Sequence, residues 1–279
     1  MPLNSVNTNL GAMVALQSLN KTSDELSATQ KRISTGYRVA DAKDDGAAYA
    51  VAERVRGEIA ATASANEQLG GVMGLLDVSQ AALQNVSTSL TKLKELTVKL
   101  ADGTMTSDQY TQYKAQAKQL ADGIKAFIQD ASYNGKNVLN ESVSTVANTV
   151  VRNGEGTTYS FNSYSALTSI YNAVSTANTW TSGSAVAALG ASGNLTNAIS
   201  RTLTQLNNFG SYSNYVDSQI TYNKAKMDAQ EGGVGALVDA DLAKESARLQ
   251  SLQIRQQLGT QALGIANQAP QTVISLFRG

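Results

Sequence analysis

The chain of 279 residues carries 22 basic and 22 acidic side chains, so its charge favours neither nucleic acid, an acidic membrane surface nor a charged substrate. It has no Cys and no His, which excludes disulfides and thiolate nucleophiles and removes the commonest general base and metal ligand. An enzyme is therefore disfavoured, and no cofactor and no metal are expected.

The amino-terminal segment 1–6 has neither the basic region nor the apolar region of a cleaved signal peptide. No stretch approaches the roughly 18 apolar residues of a membrane span, so membrane insertion is not expected. The two prolines, Pro2 and Pro270, lie near the two ends, and the interval between them is free to form long helices.

The amino-terminal segment predicts an amphipathic helix with one slip of phase. Its apolar side chains follow helical spacing at Leu3, Val6, Leu10 and Met13, and then at Leu16, Leu19, Leu26 and Ile33.

The clearest periodicity in the chain lies between residues 69 and 100. A 3-4 spacing continues without a slip through Leu69, Val72, Leu76, Ser79, Leu83, Val86, Leu90, Leu93, Thr97 and Leu100. Such a heptad pattern predicts a coiled-coil helix. The next helix should fold back antiparallel, with a seam at Tyr110, Tyr113, Ala117, Leu120, Ile124, Phe127 and Ala131. Residues 132–137 then predict a turn.

Residues 142–193 are rich in Ser, Thr, Asn and Gly, and we expect them to form exposed connecting structure. Within them, residues 149–152 and 157–161 flank the sequence Asn-Gly-Glu-Gly, which predicts a β-hairpin. A short helix is predicted near 166–176.

Helical spacing returns near residue 199 and continues to the carboxyl end, with a hinge predicted at residues 231–235. The first seam comprises Ile199, Thr202, Leu206, Phe209, Ser213, Val216, Ile220, Asn223 and Met227, and the second comprises Val238, Leu242, Leu249, Leu252, Leu263 and Ala266. A single amphipathic helix cannot bury its own stripe, so the two terminal helices should pair and bury the remainder against other copies. The fold class is therefore mainly α, with long antiparallel helices, a small β-hairpin and paired termini.

Two segments resemble the signatures of bacterial flagellins. The sequence ISTGYRVADAKDDGAAYAV (33–51) is similar to the family's amino-terminal motif, which reads approximately LSTGLRINSAKDDAAGLAI. The sequence DADLAKES (239–246), followed by QQLGTQAL (256–263) and ANQAPQTVISLFR (266–278), is similar to the carboxy-terminal motif. The resemblance covers roughly residues 1–140 and 195–279.

We call the matching positions the assembly signature, because the resemblance implies that they serve self-assembly into a filament. They are Ser34, Thr35, Gly36, Arg38, Lys43, Asp44, Asp45, Asp239, Asp241, Leu242, Gln257, Leu263, Asn267, Gln268, Pro270, Leu276 and Arg278.

The resemblance also implies three domains. Residues 1–40 and 238–279 would form a terminal inner-tube domain, residues 41–141 and 195–237 a helical rod, and residues 142–194 a hairpin with a vestigial outer segment. This would be a short flagellin without large outer domains.

The implied partners are other copies of the chain, the flagellar export apparatus with an export chaperone, and the cap and junction proteins of the filament. Export without a cleaved signal would place the protein in the extracellular filament, where it serves swimming motility.

One helical segment resembles the family's contact with the animal innate receptor for flagellin. Residues 90–96 read LTKLKEL where many flagellins carry approximately LQRVREL. Lys92 and Lys94 replace arginines and lose their bidentate geometry, whereas Glu95 and Leu96 match. The alternative is an ordinary solvent-facing helix surface, and weakened recognition is the working hypothesis.

Three other classes compete with flagellin. A hook–filament junction protein would share the helical ends, but the complete carboxy-terminal motif favours flagellin. An enzyme with carboxylate catalysis lacks a convergent polar cluster, and an unrelated coiled-coil export protein would not explain the two motifs.

Overall fold

The computed structural model describes residues 9–141 and 147–276, and the burial of side chains is described as far as residue 268. The helices are α1 (Leu10–Thr35), α2 (Gly46–Leu100), α3 (Ser107–Asp130), α4 (Asn172–Val174), α5 (Ser182–Leu189), α6 (Asn194–Val238) and α7 (Leu242–Leu276). A hairpin of β1 (Ala147–Val151) and β2 (Thr158–Asn162) follows α3. The chain divides into a first unit of residues 1–57 and 229–279 and a second of residues 58–228. The mainly helical fold with one hairpin is confirmed.

The heptad seam predicted in α2 forms the centre of the second unit. Every seam residue is completely buried except Val72, which is half-buried. The two polar members are accommodated because their hydroxyls bond within the helix: Ser79 Oγ donates to Leu75 O at 2.7 Å and Thr97 Oγ1 donates to Leu93 O at 2.6 Å.

Helix α6 packs antiparallel on α2 within this unit. Three contacts join them in opposite chain order: Asn66 with Asn223, Met73 with Ser213, and Gln80 with Phe209. Helix α3 adds Ala117, Ala121, Ile124 and Ile128 to the same core. The predicted seam position Phe127 was wrong, because Phe127 is 39% exposed and its neighbour Ile128 is buried instead.

The predicted hairpin is confirmed, and its two antiparallel strands place Thr149 opposite Ser160. Its turn lies directly against α2, because a Cβ built on Gly154 would lie 2.7 Å from Thr62 Oγ1 and 2.9 Å from Glu58 O. Tyr159 stacks on Tyr215 of α6 with ring centroids 4.1 Å apart. The hairpin is therefore a packed part of the second unit.

Residues 165–195 are not the exposed connection that their composition predicted. A π-helical turn at Leu167–Tyr171 continues into α4, a 3-10 turn spans Ala177–Thr179, and α5 follows. This segment places Ile170, Val174, Trp180, Ala185 and Leu195 in the core. The Tyr110 hydroxyl of α3 donates to Trp180 O at 2.9 Å. A few apolar residues among the Ser and Thr provide the contacts that the overall composition concealed.

In the first unit α1 and α7 pair, as predicted. Gly36 (φ 76°) ends α1, and its N–H donates to Arg32 O.

The hinge predicted at residues 231–235 was wrong, because α6 continues through the glycines of this segment to Val238. Val39, Ala52, Val234 and Val238 form a small core there. Burial of Val234 and Val238, at about 1.5–3 kcal/mol each, offsets a cost of about 1 kcal/mol for each of the helical residues Gly232, Gly233 and Gly235. The predicted stripe positions Leu3 and Val6 lie outside the described residues.

Candidate assembly surface

The α1–α7 pair is antiparallel and is joined by contacts along its length. Asn9 Nδ2 donates to Ala266 O at 2.7 Å, and Arg32 forms an ion pair of 3.4 Å with the largely buried Glu245. Between these ends, the helices approach closely where α7 carries Gly259. A Cβ built there would lie 3.1 Å from Leu19 Cδ1.

This pairing leaves a large apolar surface exposed. Thr29 of α1 and Leu252 of α7 are fully buried, and most large apolar side chains of the pair are not. The most exposed ones, which we call the terminal stripe, retain 47–70% of their surface: Leu10, Met13, Val14 and Leu16 on α1, and Leu242, Ile254, Leu258 and Ile265 on α7. Eight exposed large apolar side chains on one helix pair indicate that this pair is a candidate interaction surface.

The two signature motifs meet in space through their backbones. Arg38 N and Val39 N donate to Val238 O at 2.7 and 3.2 Å, and Ala240 N donates to Gly36 O at 2.9 Å. The Arg38 guanidinium also donates to the carbonyl of Leu237. The structure thus joins Gly36 and Arg38 of one motif to the segment that leads into Asp239 of the other. Sequence reasoning missed this pairing, since an isolated bridge has no periodicity.

Three signature carboxylates organise the chain between helices. Asp45 Oδ1 accepts from Ala47 N and Ala48 N at the start of α2, and Asp241 Oδ1 accepts from Ala243 N and Lys244 N at the start of α7. Both are N-terminal caps, the position where aspartate is most favoured. Asp44 Oδ2 instead accepts from Ala40 N at 3.1 Å.

Lys31 ties this loop to α1. Its ammonium lies 2.7 Å from Asp41 Oδ2 and 3.1 Å from Asp44 Oδ2. The hydrogen bonds from Lys31 lower the pKa of both carboxyls, and the same bonds raise the pKa of the ammonium.

The remaining signature residues are dispersed. Ser34, Thr35 and Lys43 are exposed near the end of α1, and Gln257, Asn267 and Gln268 are exposed on α7, where Leu263 is half-buried. Pro270 and Leu276 lie within α7, beyond the side chains that are described, and Arg278 lies outside the described residues.

In the segment that resembles the receptor contact, Lys92, Lys94 and Glu95 are exposed on α2. Leu96 is half-buried against the core of the second unit. Three of the four side chains are therefore accessible.

Two features that the described residues lack bear on other functions. Residues 9–141 and 147–276 contain no group of three or more acidic side chains placed to hold a metal ion. None of the helices in that part of the chain combines the length and apolar character that crossing a bilayer requires.

Comparison with known proteins identifies both halves of the chain. Residues 6–144 match the bacterial flagellin N-terminal helical region, and residues 192–277 match the bacterial flagellin C-terminal helical region. The chain is 37% identical to flagellin FljK of Caulobacter vibrioides over the whole of both chains. It is 33% identical to a flagellin of Brucella melitensis over 99% of each. A putative flagellar hook-associated protein from Vibrio parahaemolyticus shares the fold, with a TM-score of 0.55, 14% identity and coverage of 70% of this chain and all of that one.

A helical protein with paired termini and an exposed apolar stripe is typical of a structural subunit that polymerises. The two family matches and the full-length relatives specify which one: the chain belongs to the bacterial flagellin family. It is a non-enzymatic subunit of the extracellular flagellar filament, as the two motifs predicted.

Proposed function

We propose that the chain enters the filament by burying the terminal stripe of α1 and α7 against neighbouring copies. The observation that carries this proposal is the exposure of the eight stripe side chains on two helices that pair with each other. On this view the inner tube is formed by residues 1–40 and 238–279, the rod by 41–141 and 195–237, and the hairpin with the outer segment by 142–194.

The free energy gained by burying each stripe side chain explains why both helices are needed. Leu258 retains 58% of its surface, so its further burial contributes about 1 kcal/mol, taking about 2 kcal/mol for a fully buried leucine. Association itself costs at least roughly 4 kcal/mol in lost translational and rotational freedom. Several stripe residues must therefore be buried together, and one helix alone offers too few.

The decisive experiment is extension of short filament seeds by purified chain, followed by electron microscopy. We expect Leu258→Ser to slow or abolish extension. The matched control is Leu203→Ser, because Leu203 of α6 is similarly exposed (53%) but lies in the second unit. A truncation after Leu237 should not extend seeds at all.

Extension by Leu258→Ser at the rate of Leu203→Ser would contradict this role of the stripe. Failure of the intact, folded chain to extend seeds would favour the junction-protein alternative, in which the partner is a different protein.

Further partners follow from the family resemblance. We expect passage through the flagellar export apparatus with a chaperone, and contact with the cap and junction proteins at the filament ends. A chain without Cys supports such passage, since no disulfide opposes unfolding during transit.

We also expect weakened binding to the animal innate receptor for flagellin. Exposed Lys92 and Lys94 present point charges where arginines would offer a planar fork. Binding of the monomer to the receptor ectodomain tests this expectation. The double substitution Lys92→Arg with Lys94→Arg should tighten binding, and tight binding by the unmodified chain would contradict the hypothesis.

A further inference from the structure

Two Asn–Gly dipeptides, Asn134–Gly135 and Asn153–Gly154, occur in this sequence. In such a pair the backbone nitrogen of the glycine can attack the side-chain carbonyl carbon of the asparagine, because glycine has no Cβ to obstruct the approach. Both pairs occupy turns, but their surroundings in the structure differ. They therefore form a natural comparison within one chain.

Asn134 and Gly135 are the central residues of a tight turn after α3. Both have positive φ, 49° and 76°, and the turn is closed by Tyr133 N donating to Lys136 O at 2.8 Å and Lys136 N donating to Tyr133 O at 3.0 Å. This is the type I′ geometry for which Asn–Gly is the preferred sequence. Asn134 and Gly135 are both exposed. Within the described part of the chain, the Asn134 amide has no hydrogen-bond partner.

The amide of Asn153 is held by its own loop. Its Oδ1 accepts from Glu155 N at 3.2 Å and from Thr157 N at 3.1 Å. Gly154 is half-buried, and its backbone lies against Thr62. Rotation of the Asn153 side chain toward the Gly154 nitrogen would break both hydrogen bonds.

We propose that Asn134 is a site of spontaneous deamidation in the folded subunit and that Asn153 is protected from it. The Gly135 backbone nitrogen loses its proton and forms a bond to the Asn134 side-chain carbonyl carbon, while the bond from that carbon to Nδ2 breaks and ammonia leaves. Water then opens the cyclic imide at either carbonyl, which gives aspartate or isoaspartate. Water is the only co-reactant.

The two products affect the turn differently. Aspartate preserves the backbone, tolerates positive φ, and adds a negative charge close to Lys136. Isoaspartate inserts a methylene into the backbone, so the two hydrogen bonds between the backbones of Tyr133 and Lys136 cannot be kept. The Tyr133 ring lies against α2 at Gly74, where an added Cβ would be 2.8 Å from the ring carbon Cζ. Isoaspartate at residue 134 would therefore disturb this contact and mark the age of a subunit.

The test uses the full-length chain incubated in a mildly alkaline buffer, with samples taken over time. Trypsin cleavage after Lys125, Lys136, Arg152 and Arg201 places Asn134 in the peptide 126–136 and Asn153 in the peptide 153–201. Mass spectrometry then measures the loss of each amide, and enzymatic methylation detects isoaspartate. The variant Asn134→Asp supplies the authentic aspartate product for comparison.

In the folded chain we expect Asn134 to convert on the order of thirtyfold faster than Asn153. The reason is that only Asn153 must first break two hydrogen bonds, each worth about 1 kcal/mol. In denaturant the two rates should become equal, since both sites then present the same Asn–Gly chemistry. Equal rates in the folded chain, or slower conversion at Asn134, would overturn the proposal. A difference that persists in denaturant would also overturn it, because local sequence and not the fold would then be the cause.

Discussion

Replacement of Asn223 by alanine should strongly destabilise the second unit. Asn223 is completely buried on the α6 seam, where the heptad pattern otherwise places apolar residues. Its Nδ2 donates to Asn66 Oδ1 at 2.7 Å and to Arg152 O at 2.8 Å, and its Oδ1 accepts from Gln219 Nε2 at 2.9 Å. One side chain therefore connects α6, α2 and the end of the hairpin strand.

The cost can be worked from these three contacts. Each hydrogen bond contributes about 1 kcal/mol net, and a buried acceptor left without a donor costs about 1–3 kcal/mol. Asn223→Ala removes all three bonds and leaves Arg152 O and Asn66 Oδ1 without this donor, so we expect a loss of at least about 3 kcal/mol in the free energy of unfolding. That is a large share of the roughly 5–15 kcal/mol that stabilises a folded domain.

Urea denaturation followed by tryptophan fluorescence measures this loss directly. Trp180 is the single tryptophan of the chain and is buried in the same unit as Asn223. The matched control is Asn207→Ala, because Asn207 lies on α6 but is exposed. The control should change stability by no more than about 0.5 kcal/mol. If Asn223→Ala shifts the unfolding midpoint no further than Asn207→Ala, the network does not stabilise the unit and the reasoning is refuted.

Two further predictions concern the hairpin turn and the loop after α1. Gly154→Ala should lower the free energy of unfolding by about 1–3 kcal/mol, because the added methyl group would overlap Thr62 and the backbone carbonyl of Glu58. Urea denaturation measures this loss, and an unchanged free energy of unfolding would contradict the packing. The pKa values of Asp41 and Asp44 are lowered in the folded chain, so the ionised carboxylates stabilise the fold. This stabilisation is present above the unfolded-state pKa of about 4 and is lost as the pH falls through the lower folded-state pKa values. Thermal melts across acid pH should therefore show a steeper decline for the parent chain than for Lys31→Met, and identical profiles would exclude a role for the ion pairs.

The helices and their buried seams were predictable because their information is local. In α2 the 3-4 spacing alone selected side chains that are almost all fully buried. The phase of α3 was harder to assign, because Phe127 and Ile128 are adjacent and both apolar, and only tertiary packing chooses between them. Composition was misleading for residues 165–195, where a few apolar side chains such as Trp180 and Ile170 determine burial.

The assembly signature was recognisable as a motif, but its geometry was not. Gly36 and Ala240 are about two hundred residues apart, and the hydrogen bond between them joins backbones, which leave no pattern in side-chain spacing. The capping by Asp45 and Asp241 was in principle accessible, since aspartate immediately before a helical segment is the usual cap.

The same apolar periodicity has opposite outcomes in the two units, and this difference is the physical basis of the proposed assembly. In the second unit the α2 seam is closed by α3, α6 and the hairpin, so leucines such as Leu83 and Leu90 are completely buried. In the first unit α1 and α7 pair with each other, and two helices in contact can bury a single line of side chains. Leu252 lies on that line, whereas Leu258, less than two turns further along α7, does not. In the proposed assembly another copy of the chain buries Leu258, and polymerisation completes the packing that the helix pair leaves open.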